Sequence, residues 1–137
     1  MNRFLVSFTL LITMCCFSSA ALSKELIREF SGSESKVTAD FEVRAPWIVD
    51  WRLTGDYPGQ MALNVNLLSA PTGEYQGKIV TTKYVDNGVK LFLEEGGTYR
   101  FQVDATLINR WTLRVEELTR EEASQYKPKE PFQKQKR

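Results

Sequence analysis

The chain has no histidine, and its only two cysteines, Cys15 and Cys16, stand side by side in an apolar run near the start. Without histidine it lacks the commonest general base and the commonest transition-metal ligand. With both cysteines at the end of an N-terminal apolar segment, nothing downstream can form a disulfide, a thiolate nucleophile or a cysteine metal site. There is no G-x-S-x-G or S-x-x-K to place a nucleophile, and no phosphate loop, dinucleotide fingerprint or calcium loop. A second apolar run long enough to cross a bilayer, about 18 residues, is also missing.

The start, MNRFLVSFTLLITMCCFSSAALSKEL, has Arg3 as a positive n-region, an apolar stretch from Phe4 to Phe17, and small residues after it. This reads as a secretory signal over residues 1–23, with cleavage between Ala20 and Lys24. An acylated Cys15 or Cys16 is the competing reading, but the residue before it would be Met14 or Cys15 where a small one is needed, so a lipid anchor is not expected. The mature chain is expected to be exported to the periplasm or beyond, and to be soluble. It is long enough for one domain with a core of its own and too short for two.

Charge is balanced overall, with 18 Lys and Arg against 17 Asp and Glu, but it is unevenly spread. Lys127, Lys129, Lys134, Lys136 and Arg137 face only Glu130 in the last stretch, KPKEPFQKQKR, so the body carries the acidic excess. Residues 119–137 show no apolar periodicity and hold two prolines, so a flexible basic tail is expected there, with room for one helical turn at most over Arg120 to Gln125. Its cations could meet an anionic envelope surface or the acidic body.

What the chain does have is alternation. Val37, Ala39, Phe41, Val43, Ala45, Trp47, Val49, Trp51 and Leu53 fall on odd positions, with mostly polar neighbours between them. A period of two marks strands with one buried face, and Pro46 should split this stretch into strands over about 36–44 and 47–54. The same parity puts Trp47 and Trp51 on one side, as core. Met61, Leu63, Val65 and Leu67 repeat the pattern, as do Tyr99, Phe101, Val103, Ala105 and Leu107, then Trp111, Leu113 and Val115. Two antiparallel hairpins are expected, one turning between Leu107 and Trp111 and one at Asn87-Gly88, whose residue types suit a type I′ turn. With a first strand over 25–30, the count reaches about eight strands. The fold expected over residues 24–118 is all-β, a single antiparallel β-sandwich or jelly-roll-like domain.

Two segments carry a likeness to known proteins. FSGSESKVTADFEVRAPWIVDW, Phe30 to Trp51, and GGTYRFQVDATLINRWTLRVEEL, Gly96 to Leu118, resemble a small secreted β-sandwich domain of uncharacterised bacterial extracellular proteins and lipoproteins. Strand-borne core aromatics and turn glycines carry the likeness, and the middle of the chain does not share it. The resemblance implies the fold and says little about activity. Members often place a cysteine before the last tryptophan; Asn109 and Arg110 stand there in this chain, so a family disulfide is not implied.

Candidate chemistry is sparse. Asp50 and Asp104 are outward mid-strand acids that could form a hydrolytic pair, though a solvated face with Arg44, Arg52 and Arg100 as partners accounts for them. Asp56, Asp86, Glu94 and Glu95 could donate to calcium from turns, but no metal site or cofactor is expected. The binding candidates are loop residues off the buried register, Tyr57 with its neighbour Asp56 in GDYPG and Tyr75 in PTGEYQG. The expected function is a non-enzymatic binding or accessory module of the bacterial cell envelope. The alternative is a secreted carbohydrate-binding or enzyme-inhibiting module that uses its loop aromatics. A protein or envelope component is the expected partner, a glycan an open one, and nucleic acid is not expected; oligomeric state is left open.

Overall fold

The computed structural model describes residues 24–126. The expected signal with Cys15 and Cys16, and the cations Lys127, Lys129, Lys134, Lys136 and Arg137, lie outside the described residues.

The strands run in the order β1 (Glu25–Gly32), β2 (Lys36–Val37), β3 (Phe41–Val43), β4 (Trp47–Thr54), β5 (Ala62–Ser69), β6 (Tyr75–Thr82), β7 (Asp86–Phe92), β8 (Gly97–Thr106) and β9 (Arg110–Glu117), followed by helix α1 (Arg120–Ser124). β2 and β3 both pair with β8 and occupy one strand position, interrupted over residues 38–40. The interruption has a buried cause. Thr38 turns inward, its backbone N–H donating to the Phe101 carbonyl at 2.9 Å and its hydroxyl accepting from the Phe101 N–H at 2.9 Å. Val37 and Ala39, expected inside, are consequently exposed.

Every pairing is antiparallel. β1 lies on β9, β2 and β3 on β8, β4 on β7 and β5 on β6, so the chain pairs outside-in like one long folded hairpin. β9 also pairs with β4 and β8 with β5, which rolls that hairpin into two sheets, β1-β9-β4-β7 and β2-β8-β5-β6 with β3 on β8. This is the strand order of a jelly roll, an all-β sandwich. Its consequence is that β5–β6 is the hairpin and most other connections cross from one sheet to the other.

Two expected hairpins are corrected on that account. β8 and β9 do not pair, because they belong to different sheets. Asn87-Gly88 is not a turn either; it lies inside β7, and the chain crosses from β6 to β7 over residues 83–85. Gly88 has a different reason to be glycine. It sits opposite Trp51, and a Cβ there would lie 2.7 Å from the indole ring. Gly32 stands in the same relation to Trp111 across β1 and β9, with 2.9 Å to the ring. Each edge strand of this sheet thus leaves out a side chain so that a tryptophan of the neighbouring inner strand can lie over it.

The core lies between the sheets. Trp47, Leu53, Met61, Leu63, Phe101, Trp111 and Leu113 are wholly buried. Trp47 stacks on Phe92 with ring centroids 4.2 Å apart, and Phe41 stacks on Phe101 at 4.9 Å. The buried indole N–H groups are satisfied, Trp47 donating to the Glu95 carbonyl at 2.7 Å and Trp111 to that of Glu34 at 3.0 Å. Trp51 shares the face of Trp47, as its parity requires, but lies at the margin of the core and is only partly buried.

The expectation of a flexible tail from residue 119 does not hold over 119–126. Thr119 and Glu122 form a reciprocal capping box, with the Glu122 N–H donating to the Thr119 hydroxyl and the Thr119 N–H to the Glu122 carboxylate. Ala123 is buried with Ile48 and Leu118 on the outer side of the β1-β9-β4-β7 sheet. One alanine and the cap suffice to seat a single helical turn, too short for periodicity to reveal. No helix among the described residues is long and apolar enough to cross a membrane.

Candidate functional site

The strand registers divide the sandwich into two ends. At one end lie the connections over residues 33–35, 55–61, 83–85 and 107–109; at the other lie 44–46, 70–74 and 93–96, together with α1. Tyr57 belongs to the first end. Tyr75 begins β6 opposite Leu68 and belongs to the second. Both are well exposed, at 57% and 59%, so neither packs over its own turn, but the fold does not bring them together. Asp56 is engaged structurally: its carboxylate accepts from the Asn109 side-chain amide at 3.0 Å, tying the β4–β5 connection to the β8–β9 connection.

The first end carries more than the sequence indicated. Tyr84 (62% exposed) and Val85 (54%) stand on the β6–β7 crossing, and Leu107 (56%) on the β8–β9 crossing. Leu107 was expected inside, as the last member of the β8 alternation. Instead it takes φ of 55°, the left-handed region, and turns to solvent, while the next residue, Ile108, is buried. Among the described residues it is the one non-glycine with positive φ. The loops that bear these side chains are tied to one another. The Gly59 N–H donates to the Lys83 carbonyl and the Asn109 N–H to the Thr54 carbonyl, each at 2.9 Å. Sequence reasoning found Tyr57 through its Gly- and Pro-rich loop, but Tyr84 and Leu107 had no local signal, since their exposure follows from the chain changing sheets there.

The carboxylate candidates separate. Asp50 is on the outer side of the β1-β9-β4-β7 sheet, beside Arg52 at 3.8 Å, whereas Asp104 is on the outer side of the other sheet, opposite Asn64. The sandwich stands between them. Arg100 pairs with Asp40 at 2.9 Å. The turn acids separate likewise, Asp56 and Asp86 at the first end and Glu94 and Glu95 at the second, and no group of three potential metal ligands occurs among the described residues.

One further concavity is an open groove of about 990 Å³ at the β7 edge of the β1-β9-β4-β7 sheet, lined by Val89, Leu91, Leu93, Ala123 and Tyr126 together with Trp51 from the inner face. Its outer lip is the edge strand β7, where Lys90 occupies an inward-facing position opposite Val49 and discourages pairing with another strand. Lys24 lies over the Tyr126 ring at 4.8 Å, and hydrogen bonding with that tyrosine holds its ammonium above the usual lysine range.

No protein-family model matches the chain, and no curated protein matches it.

Proposed function

We propose that the protein is an exported, non-enzymatic binding module of the cell envelope, and that it docks through the end formed by residues 55–61, 83–85 and 107–109. Leu107 carries this reading. A leucine in the left-handed region costs on the order of 1 kcal/mol or more relative to glycine, and exposing its side chain forgoes the gain of burial. Folding alone would favour Gly or Asn at that position, so a leucine held there serves something other than folding. Tyr57, Tyr84 and Val85 on the adjoining loops supply the rest of an apolar surface. The test is retention of the full exported chain on isolated envelope membranes. Leu107→Asn is expected to lose most of that retention while its thermal midpoint stays level or rises. Retention equal to wild type would remove the reading.

The carbohydrate alternative has one observation in its favour. Tyr75 is exposed on the outer side of the β2-β8-β5-β6 sheet, where the amides of Asn66 and Gln102 stand opposite one another on β5 and β8. Aromatic and amide groups on one face suit a sugar ring and its hydroxyls. Loss of glycan retention in Tyr75→Ala, with rim variants unaffected, would favour it.

A further inference from the structure

The chemistry of the exposed end is specific enough to name what it meets. Two of the four projecting side chains, Val85 and Leu107, are aliphatic; they have no ring to stack on a sugar. The other two, Tyr57 and Tyr84, join an apolar ring to a hydroxyl, the combination that settles at the level of lipid headgroups. All four stand at loop tips at one end of the sandwich.

Charge at this end is of both signs. Asp56 and Asp86 accept from the Asn109 amide at 3.0 Å and the Asn87 N–H at 2.8 Å, and Glu34 stands exposed on the 33–35 connection. Lys83, next to Tyr84, makes no ion pair among the described residues, and Arg110 reaches only the Ser31 hydroxyl, at 3.1 Å. Two cations without carboxylate partners thus flank the apolar tips and can meet phosphate there. The cross-loop bonds from Gly59 to Lys83 and from Asn109 to Thr54 and Asp56 fix the spacing of the tips beforehand, so little ordering remains to be done on contact.

We propose that this end docks on a phospholipid bilayer, with Leu107 and Val85 entering the acyl boundary, Tyr57 and Tyr84 at headgroup level, and Lys83 and Arg110 against phosphate. The proposal rests on the docking reading above and deepens it. Docking of this kind is shallow, with apolar tips reaching about 5–10 Å into the interface, and is reversible.

The experiment is co-sedimentation of the exported chain, Lys24 to Arg137, with vesicles of phosphatidylcholine alone and of phosphatidylcholine mixed with phosphatidylglycerol. Wild type is expected to sediment with both, more tightly with the anionic mixture. Leu107→Asn and Val85→Ser should each weaken binding to both by about tenfold, the effect of withdrawing one aliphatic side chain from hydrocarbon, with unchanged far-ultraviolet dichroism. Replacing Lys127, Lys129, Lys134, Lys136 and Arg137 with Gln should reduce only the part that depends on phosphatidylglycerol. Failure of wild type to sediment with either vesicle, equal binding by the rim variants, or loss of phosphatidylcholine binding in the tail variant would each overturn the lipid proposal. If vesicles fail while rim variants still lose retention on envelope membranes, the docking reading stands without lipid. If rim variants change neither, both fall.

Discussion

The two ends of the sandwich arrange their large apolar side chains differently. At the end that holds α1, Trp47 stacks on both Phe92 and Tyr99, and the Glu95 carbonyl accepts from both the Trp47 indole and the Tyr99 hydroxyl. Outside the sheet at the same end, α1 covers Ile48. At the other end, Tyr57, Tyr84, Val85 and Leu107 face water on loops held by backbone hydrogen bonds. The α1 end also exposes Tyr75 and Leu93, but only the other end gathers its exposed apolar side chains on loops tied to one another. A chain with no disulfide in its described residues can leave one end open only because the other end and the core supply its stability.

The largest break in this comparison should come from Trp47→Ala. It removes a wholly buried indole from the closed end and leaves the Glu95 carbonyl only the Tyr99 hydroxyl, at 3.2 Å, so a loss of about 3–5 kcal/mol is expected in denaturant unfolding. Gly88→Val should cost about 1–3 kcal/mol by the same measurement, because the new side chain and the Trp51 ring cannot share the space. A loss within error would show that the Trp51 ring can move aside, and would contradict the close approach as the reason for glycine.

Smaller effects sharpen the picture. Thr119→Ala removes the hydroxyl half of the capping box and should cost about 1 kcal/mol, while uncovering Ile48 enough to raise binding of an apolar dye. Tyr99 sharpens the same end through pH. Burial, aided by the Glu95 charge, raises its folded-state pKa above the ordinary tyrosine value, so its contribution is fully present below the unfolded pKa of about 10 and is lost as pH climbs through the higher folded value. Tyr99→Phe should therefore show a shallower fall in stability above that pH than wild type; parallel curves would contradict the assignment.

The fold class and the strand positions could be read from the sequence because alternation reports burial of one face, and every strand of a sandwich buries one face. Trp47, Phe41, Phe101 and Trp111 were visible as core for that reason. Alternation does not report whether the next strand lies beside the last or across the core from it. Leu107-Ile108-Asn109 and Lys83-Tyr84-Val85 thus read as parts of hairpins when both are crossings between sheets. Asn87-Gly88 misleads in the same way: its composition suits a turn, and only the position of the Trp51 ring explains it. Of the open end, Tyr57 was legible from the glycines and proline around it. Tyr84, Val85 and Leu107 were not, since their exposure is set by the topology. Helix α1 was legible only as room for one helical turn over Arg120 to Gln125; the Thr119–Glu122 capping box and the burial of Ala123 that seat it were not read.

The contrast between the ends can be tested in one measurement, the free energy of unfolding of the fourfold variant Tyr57→Ser, Tyr84→Ser, Val85→Ser, Leu107→Asn. If the open end is spared from cohesion, stability should match wild type or exceed it by about 1 kcal/mol as the strain at residue 107 is relieved. A loss of more than about 2 kcal/mol would mean that these side chains help to hold the sandwich together, and would contradict the account.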